Sequence, residues 1–437
     1  MNPYLLIMAA STVIILSFFF NIIAKKTNIP SVLMLIILGV VIKESFGGNQ
    51  LENEQYHSIL EVLGNVGLVM IVLEAALDLK LEKEKAKMIL ASFLVALVAL
   101  AGSTLLIAYL FQYMFPDAEL YTRIVYAVPL SIMSSAIIIP SVGGLTGVKK
   151  EFMVYESTFS DILGIMVFYF LIGADSPEST GGSVALDILI NIGITIALSV
   201  FVAYSLVFLF QHLKMQVKLF LIIGVLMLLF AAGKFFHLSS LLIILAFGLV
   251  LNNTDIFFRG YLAKHFDTSK VKPILHDFHI LTLESAFIIR TFFFVIFGMS
   301  ITLASFYDLN VFINSLAIVG VLYAVRYITL LIFARKNIFP ELFIAPRGLI
   351  TILLFFVVTN GDQFNIPNFD PGLLLYPILI TSIIMTISLI SYRGEKVKDV
   401  LLPQLPLKRK DKDNNGKNDE YQERIIKNVE GHDFDGF

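Results

Sequence analysis

Apolar residues run along the chain in long continuous blocks, each closed by a short polar or basic stretch. A block of about 20 apolar residues has the length of a membrane helix. Thirteen such segments stand out, at 3–24, 30–46, 58–78, 88–115, 123–146, 152–174, 184–211, 217–236, 238–253, 280–304, 311–333, 338–360 and 373–393. The blocks do not alternate apolar with polar positions, as the strands of a membrane barrel do. The pattern predicts an all-α polytopic membrane protein with about 13 transmembrane helices. Segments eight and nine, parted only around Lys234–His237, also read as one broken helix. The first segment follows almost no basic leader and no clear cleavage site, so it reads as a retained helix. The stretch 254–278 is too polar to span, and its mix of Phe, Leu, Arg and Lys predicts a helix lying along the interface. Residues 396–437 are rich in Lys, Asp and Asn and read as a short disordered tail behind a membrane domain of 1–395.

Composition sharpens this picture. The chain is 57% hydrophobic and only 15% charged, too apolar for any soluble enzyme of its length. No cysteine is available for a disulfide or a thiolate metal site. A net charge of −2 offers no basic surface for nucleic acid. The tail is short for a nucleotide-binding domain and carries no glycine-rich phosphate loop. No cofactor and no enzymatic chemistry are expected. With thirteen spans, 26 of the 32 lysines and arginines fall on the side of the C-terminal tail. The positive-inside rule makes that side cytoplasmic and puts the N-terminus outside, in a multi-pass cell-membrane protein.

Charges inside the spans are costly, and they carry the chemistry of such proteins. They are Glu74, Glu156, Asp161, Glu284, Arg290, Arg326 and Arg347. Segment six reads Tyr155-Glu156-Ser157-Thr158-Phe159-Ser160-Asp161-Ile162-Leu163-Gly164. Ser157 and Asp161 share one helix face, and Glu156 and Ser160 a neighbouring one. A carboxylate flanked by hydroxyls supplies hard oxygen ligands and a titratable group, as a dehydrated alkali cation or a proton requires. The bland alternative is that Asp161 only pairs with an arginine. Segment five, with Ser131, Ser134, Ser135, Pro140, Gly143 and Gly144, and segment twelve, with Ala345-Pro346-Arg347-Gly348, are both weakened as helices. Irregular backbone at that depth is tolerated where it is buried or lines a cavity. Two corresponding breaks point to a transporter site built from inverted repeats, though ordinary kinks are common too. Arg347 is placed to pair with Glu156. Arg326 is placed to pair with Asp161 or to stabilise a broken helix end. Glu284 and Arg290 receive no role.

These residues carry a resemblance. Glu156-Ser157-x-x-Ser160-Asp161 resembles the Glu-Ser-x-x-Asn-Asp signature of the monovalent cation/proton antiporter superfamily, sodium/proton exchanger branch. Ala345-Pro346-Arg347-Gly348-Leu349 is similar to its Gly-Gly-Leu-Arg-Gly motif, and Val325-Arg326-Tyr327 to its arginine one helix earlier. Leu73-Glu74-Ala75-Ala76-Leu77 and the Phe293–Met299 run are similar to further family stretches, over roughly residues 1–395. The resemblance implies interleaved dimerisation and core subdomains, crossed discontinuous helices five and twelve, and a homodimer in the bilayer. It implies that Asp161 binds the cation or proton, with Ser157, Ser160 and Ser134 or Ser135 completing the coordination and Glu74 approaching. It makes Glu156 and Arg347 a structural ion pair and Arg326 a supporting charge. Ser160 stands where the family has Asn, and Ser134-Ser135 where it has Thr-Asp.

The expected function is secondary antiport of Na⁺, with K⁺ or Li⁺ as alternatives, against H⁺. Alternating access and competition at Asp161 give the exchange. A lone acid at that position, with Ser160 before it, implies electroneutral exchange by the resemblance. The runner-up is a potassium-efflux transporter or channel regulated by a separate cytoplasmic subunit. A scaffold leaves buried acids beside broken helices unexplained, and an anion symporter calls for more buried cationic donors.

Overall fold

A computed structural model describes residues 3–27, 30–45, 66–67, 69–174, 193–195, 197–205, 208, 218–235, 240–257, 268–300, 308–333, 338–359, 364, 366–367 and 369–401. These form helices and no strand. In chain order they are α1 (Pro3–Thr27), α2 (Ser31–Ser45), α3 (69–78), α4 (Ala86–Met114), α5 (Leu120–Ser131), α6 (Ser135–Ser141), α7 (Gly147–Ala174) and α8 (197–205). Then come α9 (Lys218–Phe235), α10 (Ser240–Asn252), α11 (Thr254–Phe257), α12 (Thr268–Ser300), α13 (Leu309–Phe333), α14 (Leu349–Thr359) and α15 (Gly372–Leu401). Met1–Tyr392 is one compact unit.

Seven described helical stretches are long and apolar enough to cross a bilayer. α4 shows why. Its 29 residues rise about 1.5 Å each and exceed a hydrocarbon core about 30 Å thick. Leu90, Leu97, Leu105 and Leu106 stay exposed on its outer face, while Ser92, Ser103 and Thr104 turn inward. Leucine faces the side that lipid favours, and small Ser and Thr side chains on the inner face let neighbouring helices approach closely.

Two groups of helices frame the site. α4 packs on α5, α7 and α13, and α14 on α5 and α7. α2 lies along α12, with α1 against both. The α2–α12 contact depends on two glycines. A Cβ on Gly39 would strike the Val295 carbonyl, and one on Gly298 the Ile36 carbonyl. Backbones that touch this closely gain dispersion contacts where water-driven association is lacking. Gly298 belongs to the Phe293–Met299 run picked out in the sequence, so that motif is a packing surface.

Segments eight and nine are two helices, α9 and α10, as counted, packed on each other: a Cβ on Gly233 would meet Ser240 and Ile243 within 3 Å. Two expectations change. Residues 268–278 are no separate interfacial helix but the first third of α12. At 33 residues, about 50 Å, α12 outruns the hydrocarbon, so its polar end lies beyond it while the helix continues unbroken. α15 likewise runs on to Leu401, past the expected start of the tail at 396. The remaining tail, 402–437, lies outside the described residues, as do 58–65 of segment three and 258–267 of the interfacial stretch.

Candidate ion-binding site

Segment five is interrupted at 132–134, between two short helices that each contain a proline. Pro129 and Pro140 lack the N–H that a helix interior uses, and the Ser131 hydroxyl bonds the Ala127 carbonyl at 2.9 Å. Between α5 and α6, Ile132 and Ser134 are extended. Segment twelve breaks likewise: residues 344–348 have no regular structure between the short turn Glu341–Phe343 and α14. The two interrupted stretches meet. Ser134 donates its N–H to the Pro346 carbonyl at 2.9 Å. Gly348 lies so close that a Cβ there would meet the Ser134 hydroxyl at 2.5 Å. Helices five and twelve are thus discontinuous and cross at Ser134, Pro346 and Gly348.

α7 presents its polar residues to this crossing. Glu156, Ser157 and Thr158 are fully buried, and Ser160 and Asp161 nearly so. The Ser160 hydroxyl accepts the Met133 N–H at 2.9 Å, and Asp161 Oδ2 accepts the Ser135 N–H at 3.1 Å. Two donors freed by the break are therefore satisfied by adjacent residues of α7. Asp161 Oδ1 is buried and has no hydrogen-bond partner. The carboxylate borders a small apolar cavity of about 10 Å³ with Ile71, Val72, Leu242 and Ile350, room for one water-sized species. Ser157 lies one turn away and gives its proton to the Val154 carbonyl at 3.2 Å, leaving its lone pairs free.

The expected ion pair is different. Glu156 is held by Arg326, not by Arg347. Arg326 Nη1 reaches Glu156 Oε1 at 2.6 Å, and Nη2 reaches Oε2 at 3.2 Å. The same guanidinium donates to the carbonyls of Glu341 and Leu342, tying α13 and α7 to the turn before the segment-twelve break. Arg347 has a separate task. Its Nε donates to the Leu130 carbonyl at 2.7 Å and its Nη1 to the Ala345 carbonyl at 2.7 Å. The physical reason is the non-helical backbone at 344–348, which aims Arg347 at the end of α5 while α13 delivers Arg326 to Glu156. Positive charge at the C-terminal end of α5 and the Asp161 carboxylate at the Ser135 amide suit the exposed carbonyl and N–H there. Charges from segments twelve and six thus serve the break that the serines in segment five leave without an acid of its own.

Glu74 belongs to a neighbouring cavity. It lines a second cavity of about 230 Å³ with Asn21, Ser31, Asp78, Ser135, Arg290 and Thr291, and it pairs with Arg290 at 3.0 Å. Asp78, one turn along α3, bonds His279 at 2.8 Å. Ile71 and Ala75 line both cavities, so α3, which carries Glu74, borders both of them. The Arg290 and His279 contacts join residues more than 200 positions apart, and no local spacing announces them. Among the described residues no cluster of His, Cys, Asp or Glu has the makings of a multidentate metal site. A monovalent ion here would meet one carboxylate, hydroxyls and backbone.

Known proteins share this frame. The structure is similar to the sodium proton antiporter MjNhaP1 from Methanocaldococcus jannaschii at pH 8, with a TM-score of 0.65 and 20% identity, covering 90% of this chain and all of that one. An electron-microscopy structure of the same protein matches with a TM-score of 0.66 and 17% identity, covering 92% of this chain and 99% of that one. At such identities the likeness shows the fold. Comparison with curated protein sequences found no match. The model of the transmembrane sodium/hydrogen exchanger family matches residues 13–392, nearly the whole membrane part, and the chain belongs to that family.

Proposed function

We propose that the protein exchanges Na⁺ for H⁺ across a cell membrane, one for one, by alternating access, with both ions competing for Asp161. The observation that carries the reading is Asp161 Oδ1, an unpartnered carboxylate oxygen buried in the fold where two broken helices cross. A proton bonded to that oxygen, or a dehydrated cation beside it, offsets the cost of leaving it bare. They cannot occupy it together, and that exclusion couples the two flows. Ser157, one turn away on α7, and backbone oxygens freed by the breaks are the further ligands. Ser160 holds the break through Met133, and Ser134 packs on Gly348, so both shape the site. The sodium proton antiporter with the same fold supports Na⁺ as the cation.

Charge bookkeeping favours the 1:1 ratio. The buried core holds Glu156, Asp161, Arg326 and Arg347. A proton on Asp161 and a sodium ion beside it leave this core with the same net charge. Neither arginine gives up a proton, because guanidinium stays charged. The moving core therefore crosses the membrane potential with equal charge in both loaded states. On this reading, with the basic loops cytoplasmic, the 230 Å³ cavity opens toward the cytoplasm, since it lies along the half of α3 that leads into Lys80 and Lys85.

The test is transport by purified protein in vesicles carrying a pH-sensitive dye, with Na⁺, K⁺ and Li⁺ offered in turn. Na⁺ should release the proton gradient in the wild type and not in Asp161→Asn, with the variant equally folded. Near-normal exchange by Asp161→Asn moves the site elsewhere. A dependence of the final Na⁺ gradient on imposed voltage overturns the 1:1 ratio.

A further inference from the structure

Arg290 sits in mid-chain of a spanning helix, and the exchange outlined above makes no use of it. Its guanidinium meets Glu74 through one contact, Nη2 to Oε1 at 3.0 Å. Both side chains keep some access to solvent, 18% for Arg290 and 12% for Glu74. Both line the 230 Å³ cavity. That cavity also touches Ser135, whose N–H holds Asp161, so it leads to the back of the buried carboxylate. From the basic loop inward the acids run Asp78, Glu74, Asp161, with His279 bonded to Asp78 and Arg290 to Glu74. Asp161 alone is left without a cationic side chain.

We propose that Arg290 is a tethered cation that occupies Glu74 in place of the transported ion, and that an incoming cation must displace it from the cavity before moving on to Asp161. This rests on the antiporter reading and adds a specificity-determining residue to it. The geometry suits displacement. A guanidinium usually grips a carboxylate with two parallel bonds, as Arg326 grips Glu156. Arg290 uses one, and the cavity gives its head room to turn away. The guanidinium does not lose its charge on release. Its retained positive charge then repels the cation held at Glu74 and favours onward movement to the negative, unpaired Asp161. The apparent affinity from this side is lowered by the fraction of time that Arg290 holds Glu74.

Initial rates of Na⁺-dependent dye response, measured against Na⁺ concentration in vesicles holding the full chain, test this. Arg290→Gln should lower the KM for Na⁺ by about three- to tenfold, with kcat unchanged or reduced because release from Glu74 slows. Arg290→Lys, which keeps the charge and loses the guanidinium geometry, should give an intermediate KM. In a Glu74→Gln background, Arg290→Gln should no longer lower KM. A KM that is unchanged or raised in Arg290→Gln, or a fall that persists without Glu74, overturns the proposal. If Arg290→Gln fails to fold, Arg290→Lys decides, and a KM at or above wild type overturns it. A wild type with no cation-dependent signal defeats the antiporter reading and this inference together, whereas a working wild type with an unmoved KM defeats only the inference.

Discussion

Among the described residues the membrane part contains two glutamate–arginine pairs, and they are built differently. Glu156–Arg326 is sealed, at 0% and 3% exposure, with two guanidinium–carboxylate bonds and further bonds to Glu341 and Leu342. Glu74–Arg290 is partly open to a cavity and has one bond. The same chemistry does opposite work. In the sealed pair each charge is the other's main compensation, so neither can leave without stranding its partner in a medium that cannot solvate it. In the open pair, water in the cavity can take over, and partner exchange is cheap. A buried ion pair in a transporter is therefore read from its burial and bond count, not from its residue types.

The sharpest way to break the comparison is to remove one charge from each pair. Arg326→Gln should cost about 3–5 kcal/mol and collapse the yield of folded protein, since Glu156 is left bare. Melting by intrinsic tyrosine fluorescence in detergent measures it, and a well-expressed, heat-stable Arg326→Gln would dissolve the distinction. Arg347→Gln comes next. It strands the carbonyls of Leu130 and Ala345 but no carboxylate, and the expected loss is about 1–3 kcal/mol. Transport should survive in the folded fraction with altered turnover. Glu74→Gln should shift stability by no more than about 1 kcal/mol, because its pair is single-bonded and partly wet. A large drop in melting temperature there would mean that the open pair is structural after all.

The smallest effect concerns a third kind of pair, outside the membrane. In the loop after α3, Lys85 bonds Glu82 at 3.0 Å and Glu151 at 2.9 Å. Hydrogen bonding to these carboxylates raises the Lys85 amine above its usual range, and hydrogen bonding to Lys85 lowers the Glu82 carboxyl. Because the folded Glu82 value is depressed, its contribution is present at neutral pH and is lost as pH falls through that value. Such exposed pairs are screened by salt. Raising salt to about 0.5 M should leave the melting temperature at neutral pH nearly unchanged. A marked salt-induced drop would show that this loop carries more of the fold than its exposure suggests.

Much of this architecture was legible from local chemistry. Pro140 and Pro346 remove backbone donors, and the serines and glycines around them weaken a helix further, so the two weakened segments could be read directly. Asp161 stood out because a lone acid in an apolar run needs a reason. The partnership of Glu156 was not legible. Arg326 and Arg347 both lie at comparable depth, and the choice between them depends on how α13 is rotated and on where a non-helical stretch aims a side chain. Neither is a periodic property. The partner of Glu74 was not legible for a related reason: Arg290 reaches it from a helix more than 200 positions away, across a cavity that shares only Ile71 and Ala75 with the one at Asp161. The Ser160 hydroxyl accepts a backbone amide that is free only because segment five is broken, a contact that spacing alone does not announce.

The sealed pair also has a history in time. Glu156 and Arg326 are 170 residues apart, and the glutamate is made first. At ordinary synthesis rates of about 5–20 residues per second, its partner arrives roughly ten to thirty seconds later. During that interval the nascent α7 has to remain in the bilayer with Glu156 uncompensated by Arg326, although α7 is the least apolar of the seven spanning stretches. Insertion of this helix is therefore the fragile step in the biogenesis of the protein, and α13 is the element that locks it in place.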